Sequence, residues 1–361
     1  MTNFRVALIG VYPPPFGGVS VTIMELANQL FNDKIPFRLF TPMVPRRVAP
    51  DYLCYYDNHV FNISENLFFR VRKFKPDVIH IQESTLNWRI GLLSKLMGIP
   101  VIHHVHGERF PDMFLRMPPM SRLLLKTFAK TAEGIIAVSH DLAKFIESLG
   151  VDHHRIHVIP SLLPFENTAF SASDKLAAGG ELLTLVTTGY KPFTYPHYGF
   201  NLVPSVAKRL KEKNIRFKWY LVGQASRQQA ETFRNTLSEN GLQNQVEFIG
   251  ELERPQLLGL LESAHLFVRT KYSDSYGLVI AEAHQLGCHC LFGDNNPHFN
   301  DGDRLVKYRT GDADDLTAKL LELIPMVSLD KSETQASPFT VEALENYKSI
   351  KRVYKAVTGK C

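Results

Sequence analysis

The run VRTKYSDSYGLVIAEAHQLG at residues 268–287 gathers two cations, two carboxylates and a glycine around the start of a helical pattern. Asp274 or Ser275 is of the type that caps a helix, here one beginning near Tyr276, and Gly277 opens the backbone of its first turn. The free N–H groups of such a turn hold an anion, so a phosphate fits there. Glu282 follows about two turns in, and its helical neighbours Leu278, Val279 and Leu286 are apolar, with Gln285 the polar one. A carboxylate on that face needs a partner, because an unpaired buried charge is costly. At roughly 1.5 Å of rise per residue Glu282 stands about 9–10 Å along the helix, within reach of the ribose of a nucleotide whose phosphates cap it. A structural Glu, salt-bridged in an interdomain face, explains the same residue, and the chemistry alone leaves both readings open.

Three other places carry residues of functional type. Gly17 and Gly18 in PPPFGGVSVTIMELANQL follow an apolar run and open a helix marked by Val19, Ile23, Leu26, Ala27 and Leu30. They read as an anion-binding helix start or as a tight strand-to-helix turn, and the GxGxxG fingerprint of dinucleotide sites is absent. His106 in HHVHGERF follows a strand end with Gly107 after it, which points it toward a ligand, whereas His103 and His104 read as structural. Cys288, His289 and Cys290, with His284 and His298 nearby, suggest zinc at first sight. Strand alternation puts the two thiols on one face and the histidine on the other, so they read as buried apolar thiols.

These residues sit on recurring elements. Short apolar runs (VALIG at 6–10, DVIHI at 77–81, VIHHV at 101–105, IIAVS at 135–139) alternate with amphipathic stretches at 19–31 and 88–97, which is the pattern of parallel βαβ units. The alternation stops between about 163 and 182, where PFENTAFSASDKLAAGGE reads as a linker. It resumes with strands at 182–189, 218–223, 246–250, 265–270 and 289–293 and helices at 199–212, 227–240, 254–263, 276–287 and 312–325. The expected fold class is α/β, with two Rossmann-like domains at 1–165 and 183–339. A last helix at 340–357 lies beyond the second domain and is free to pack on either half, the first being favoured for 340–361. Ligands of such sheets bind at the carboxyl ends of the strands, so a cleft between the halves is the expected site.

The chain's 361 residues, 45% hydrophobic and 21% charged, suit a globular protein and exclude a disordered or fibrous one. Lys and Arg number 41 against 36 Asp and Glu, a net charge of +5, too mild for a dedicated nucleic-acid binder. Four cysteines without CxxC or disulfide-like spacing imply reduced thiols and a cytoplasmic setting. The first apolar stretch is too short for a signal peptide, and no run approaches the roughly 20 residues that span a bilayer. Two stretches, FFRVRKFK at 68–75 and FLRMPPMSRLLLKTFAK at 114–130, mix Arg and Lys with Phe, Leu and Met. They read either as surface helices lying on the anionic inner face of a membrane or as ordinary amphipathic helices.

Asp274 and Glu282 around S-Y-G-L-V-x-x-E-A, together with the Gly17–Gly18 loop, resemble the retaining glycosyltransferases of GT-B fold, family GT4. The resemblance extends through PDVIHIQ at 76–82, VHG at 105–107, IIAVS, LVG at 221–223, VEFIGEL at 246–252 and a last helix with Tyr347 and Tyr354. FVRT-x-x-x-D-S-Y-G and IPSLLP at 159–164 look most like members from capsule, O-antigen and exopolysaccharide pathways. The resemblance implies two Rossmann-like domains facing a central cleft, with the acceptor on the first and a nucleotide-sugar donor on the second.

By that resemblance Glu282 binds the donor ribose, the amides of Tyr276, Gly277, Leu278 and Val279 the diphosphate and sugar, and Asp274 the sugar hydroxyls, although the family usually has Glu there. Gly17, Gly18, Gly223 and Ser275 join the donor-binding set, and His106 lies beside the anomeric carbon, with Glu108 a lesser residue on the acceptor side. The family's Gly-Arg-Leu and Lys-Gly phosphate clamp falls at 189–199, where this chain reads GYKPFTYPHYG. The Arg is missing after Gly189 and the Lys position holds His197 or Tyr198, so Lys191 is the leading cation, assisted by Arg269 or Lys271. The implied activity is retaining transfer of a sugar to a saccharide or lipid-linked acceptor, with no metal or other cofactor. A sugar-nucleotide epimerase of the same fold, or a binding subunit without turnover, remains the alternative.

Overall fold

The computed structural model describes residues 4–13, 17–42, 50–56, 63–83, 91, 94–162, 182–274, 276–302, 304–327 and 339–360. The chain divides into two compact units, Met1–Phe165 with Thr340–Cys361, and Glu166–Phe339. The linker run at 163–181 and part of the helix expected at 88–97 lie outside the described residues.

In the first unit the strands are β1 (Val6–Gly10), β2 (Phe37–Thr41), β3 (Leu53–Tyr55), β4 (Val78–Glu83), β5 (Val101–Val105), β6 (Gly134–Ala137) and β7 (Ile156–Val158). They form one sheet in the order β3-β2-β1-β4-β5-β6-β7, parallel throughout. Both faces of β1, β5 and β6 are buried, which is why they appear in the sequence as unbroken apolar runs. The helices are α1 (Gly18–Asn32), α2 (Ile63–Phe74), α3 (Phe110–Arg116), α4 (Pro119–Ala129) and α5 (His140–Ser148). Ser139 caps α5, its Oγ accepting from Leu142 N–H at 3.2 Å. The basic stretch at 114–130 is two helices and not one. Met117 is extended ahead of the Pro118–Pro119 pair, and proline restricts the residue before it to such a conformation.

The last helix of the chain, α11 in the numbering that continues below (Phe339–Thr358), belongs to this unit. Its Tyr347, Ile350, Val353 and Tyr354 enter one core with Phe4, Val6, Leu8, Ile23 and Leu26. Polar contacts fix its register: Tyr347 Oη donates to Asp33 at 2.8 Å, Lys351 pairs with the same carboxylate at 2.6 Å, and Lys360 pairs with Asp77 at 2.7 Å. The fully buried Tyr354 hydroxyl lies 2.6 Å from Nδ1 of His80 on β4.

The second unit has strands β8 (Leu183–Thr188), β9 (Phe217–Val222), β10 (Val246–Gly250), β11 (Leu266–Arg269), β12 (His289–Gly293) and β13 (Leu305–Tyr308). Their order is β10-β9-β8-β11-β12-β13, again all parallel. Helices α6 (Val203–Glu212), α7 (Arg227–Glu239), α8 (Arg254–Ser263), α9 (Leu278–Gln285) and α10 (Ala313–Leu323) complete it. Trp219 of β9 donates through Nε1 to Thr187 Oγ1 at 3.0 Å, and Thr187 donates on to the carbonyl of Val268 at 2.7 Å, tying β9, β8 and β11 together inside the core. The chain winds outward from β8 to β10, then returns to β11 on the other side of β8. The carboxyl ends of β8 and β11 therefore flank a topological switch point, the place where open parallel sheets bind ligands.

Replacing Tyr354 by Phe keeps the apolar packing of α11 but leaves His80 Nδ1 buried without its partner, at an expected cost of about 1–3 kcal/mol. A shift of the denaturation midpoint by that amount is the check, and an unchanged midpoint would show that the hydrogen bond does not hold the helix.

Candidate functional site

The loops leaving β8 and β11 meet at the switch point of the second unit. Thr270 Oγ1 donates to the carbonyl of Tyr198 at 2.6 Å, and Tyr272 N–H to the carbonyl of His197 at 2.7 Å. Helix α6 is preceded by a 3₁₀ turn at Phe200–Leu202, so the helix expected from 199 starts as α-helix only at Val203.

Arg269, the last residue of β11, sends Nε to Asp274 Oδ2 at 2.7 Å, Nη2 to Oδ1 at 3.2 Å, and Nη1 across to the carbonyl of Thr188 at 3.2 Å. Lys271 Nζ reaches Asp274 Oδ1 at 3.1 Å. All three side chains are buried. Burial by itself would raise the Asp274 carboxyl, but the charges of Arg269 and then Lys271 outweigh it and hold the pKa at about 2. The ring of Tyr198 covers the cations, its centroid 6.0 Å from Arg269 Cζ and 5.6 Å from Lys271 Nζ.

This geometry corrects the expected helix start. Asp274 is engaged by its two cations and does not cap, and Ser275 lies outside the described residues. The N-cap is Gly277, left-handed at φ 87° and ψ 48°, a conformation that side chains disfavour. A Cβ there would also stand 2.8 Å from Ile280 Cδ1 and 3.3 Å from Asp274 Oδ2. The α-helix therefore begins at Leu278, two residues later than Tyr276. Tyr276 is buried, and its carbonyl accepts from Asn296 Nδ2 at 3.0 Å.

Glu282 is buried on α9, and its partner is Arg254 at the start of α8, Nη2 to Oε1 at 2.7 Å. That pairing within one unit, with 13% and 7% of the two side chains exposed, supplies the counter-charge the sequence demanded without naming it. Leu278 is buried and Val279 half-buried in the first turn of α9. Lys191 sits in the loop after β8, half-buried and left-handed at φ 46°, its Nζ 5.4 Å from the ring centroid of Tyr190. Gly223 follows β9, where a Cβ would come within 2.2 Å of the Gly189 carbonyl, so close strand packing alone requires glycine there.

In the first unit Gly17 is the N-cap of α1 and Gly18 its first residue. Ser20 Oγ accepts from Gly17 N–H at 2.9 Å, and a Cβ on Gly17 would meet open space, so packing does not dictate that glycine. His106, just after β5, is buried and its ring does not stand free. It stacks on His104 at 4.1 Å between centroids, His104 stacks on His80 at 5.5 Å, and its Nδ1 lies 3.4 Å from Ser161 Oγ. His103 packs edge-on against Phe128. Burial lowers all four imidazoles: His80, His103 and His106 to about 3, and His104 well below its ordinary value, with neighbouring rings adding to the effect at His80 and His104. Glu108 is half-buried beyond the strand.

The thiols expected to be buried donate to backbone carbonyls, Cys288 to Leu261 at 3.1 Å and Cys290 to Ile280 at 3.5 Å. Among the described residues the one group of three ligand atoms close enough to share an ion is Asp152, His153 and His154, all exposed. The basic stretches divide as amphipathic helices do. Leu67, Val71, Phe114, Leu125 and Phe128 are buried, while Phe69, Met113, Leu115, Met120, Leu123 and Leu124 are exposed. No described helix is long and apolar enough to cross a membrane.

Residues 16–163 match the profile of Glycosyltransferase Family 4, and residues 192–325 that of Glycosyl transferases group 1. No curated protein matches in sequence. Among solved structures the chain is similar to HepE of Anabaena in complex with UDP-glucose, at 14% identity and TM-score 0.74 over 99% of this chain and 100% of that one. It is similar to the sucrose-phosphate synthase of Thermosynechococcus elongatus, at 15% identity and TM-score 0.71 over 97% and 96%. A glycosyltransferase of Rickettsia africae shares 13% identity with a TM-score of 0.72 over 98% of both chains. At these identities the likeness is one of fold, two parallel-sheet Rossmann-like domains.

The histidine column makes a prediction of its own. With folded pKa values below the ordinary 6.5, these rings take up protons on unfolding, so stability is lost as pH falls from about 6.5 toward 3. The expected loss is roughly 1 kcal/mol per histidine per pH unit inside that window. Denaturant midpoints at pH 7.5 and 5 read it, and equal midpoints would contradict neutral burial.

Proposed function

The chain belongs to the family 4 glycosyltransferases of GT-B fold, and from that premise we propose that it moves a sugar from a nucleotide-sugar donor to a saccharide or lipid-linked glycan acceptor with retention of configuration. The observation that carries this reading is the switch point of the second unit, where two buried cations are held by Asp274 beside the N-cap of α9 and Glu282 follows on the same helix. First-turn amides and cations suit a diphosphate, and a carboxylate two turns on suits ribose hydroxyls. The Anabaena protein was crystallised with UDP-glucose, which supports a nucleotide sugar as donor.

The bond from the anomeric carbon to the diphosphate oxygen breaks, and the acceptor oxygen bonds to that carbon on the same face. The acceptor's proton passes to the departing phosphate oxygen. Charge growing on the diphosphate is taken by the amides of Leu278 and Val279 and by the buried cations at the end of β11, so no metal is required in this scheme. The neutral His106 at the carboxyl end of β5, in the first unit, suits a hydrogen bond to a hydroxyl-bearing ligand rather than a charge. We place the protein in cell-surface polysaccharide assembly, on the inner face of a membrane. Leu115, Met120 and Leu123, 67%, 65% and 59% exposed, stand beside Arg116, Arg122 and Lys126 on α3 and α4. Apolar insertion together with about 1 kcal/mol per basic side chain suffices for reversible docking on anionic lipid.

Glu282→Gln keeps a hydrogen-bond acceptor for Arg254 and removes the charge. The uncompensated Arg254 lowers the melting temperature, so affinity is read well below it: nucleotide-sugar affinity is expected to fall tenfold or more in the folded variant, and undiminished affinity would refute the ribose assignment. Transfer in the presence of a chelator should proceed at the same rate. Conversion of the nucleotide sugar without any acceptor would instead mark an epimerase, and binding without turnover a non-catalytic subunit.

Vesicles rich in anionic lipid should pellet the protein, less so at high salt, and Leu115→Glu with Leu123→Glu should abolish it. Equal, negligible pelleting with neutral and anionic vesicles would leave α3 and α4 as ordinary surface.

A further inference from the structure

The Asp274 carboxylate accepts three charge-assisted hydrogen bonds, two from Arg269 and one from Lys271, in a setting where all three side chains are about nine-tenths buried or more. Bidentate pairing with a guanidinium fixes the carboxylate plane, and the ammonium takes one of its oxygens from the side. Little of such a group is left for a sugar hydroxyl. The same carboxylate lies against the N-cap of α9, Oδ2 being 3.3 Å from the place a Cβ of Gly277 would occupy. The two cations are thus held beside the N-terminus of α9, where free amides and the helix dipole favour an anion, and Arg269 is pinned from its other side by the Thr188 carbonyl of β8.

We infer that Asp274 is a positioning residue, which holds Arg269 and Lys271 as the diphosphate-binding cations at the start of α9, and that it does not bind the donor sugar. This rests on the donor reading above. It moves the charge that meets the leaving group from the β8 loop, where Lys191 lies against Tyr190, to the β11 loop. Removing a carboxylate that two buried cations share lets them repel each other and lose their fixed geometry, so the effect reaches any ligand carrying the diphosphate, with or without a sugar.

Calorimetry separates the two roles. ADP, GDP, UDP, CDP and dTDP are titrated in turn into the full chain, then the corresponding nucleotide sugars. Asp274→Asn should lower affinity for the plain diphosphate tenfold or more, and for the nucleotide sugar by a similar factor. Plain diphosphate bound as well as or better than by the wild type, with the nucleotide sugar alone weakened, would overturn the inference and return Asp274 to the sugar. Lys271→Met leaves the Arg269–Asp274 pair in place and secures the fold. It should weaken the plain diphosphate at least fivefold, whereas Lys191→Met should not, and the reverse pattern would overturn the inference as well. If the wild type binds none of the diphosphates, the donor reading itself fails, and the inference with it.

Discussion

Two cations buried side by side at the end of β11 are tolerable because one carboxylate, three residues beyond Lys271, turns back between them. Breaking such a buried pair by removing one partner typically costs about 3–5 kcal/mol, a large part of a domain's stability. That constraint turns Asp274 inward, and Gly277 takes the left-handed conformation from which α9 begins at Leu278. The turn at 196–199 is drawn onto the same group, with Tyr198 laid over the cations.

The first unit solves the opposite problem. Along β4 and β5 its polar interior is neutral: His80, His104 and His106 form a stacked column, ending at Tyr354 of α11 on one side and at Ser161 on the other. Several ring nitrogens and both polar atoms of Gln82 have no hydrogen-bond partner among the described residues. A neutral, hydrogen-bonding edge suits hydroxyl-bearing ligands, and a charged edge suits an anion, which agrees with the proposed division of acceptor and donor between the two units.

Much of the architecture was legible because parallel strands are buried on both faces and leave unbroken apolar runs; β1, β5, β10 and β12 keep the bounds the runs suggest. The strands that escaped notice are β2, β3, β7 and β13, the second and third of them only three residues long, with no run to detect. The break at Met117 was written in two prolines and was missed because the charge pattern crosses it. At the site, the types of Asp274 and Glu282 announced chemistry, but their partners did not follow from spacing alone. Arg254 lies 28 residues from Glu282 and reaches it through tertiary packing. The pairing of Asp274 with Arg269 and Lys271 was near in sequence, yet an Asp ahead of a helix reads first as a cap. Only the left-handed Gly277 shows why it is not one.

In the proposed reading a nucleotide diphosphate binds at the switch point of the second sheet, over the start of α9. Hydrogen–deuterium exchange on the full chain, with and without saturating nucleotide diphosphate, addresses it directly. Slowed exchange is expected in the β11 loop and the first turn of α9, residues 270–282, and in the β8 loop at 189–199. Slowed exchange confined to the first unit, or to the β13 edge of the second, would contradict it.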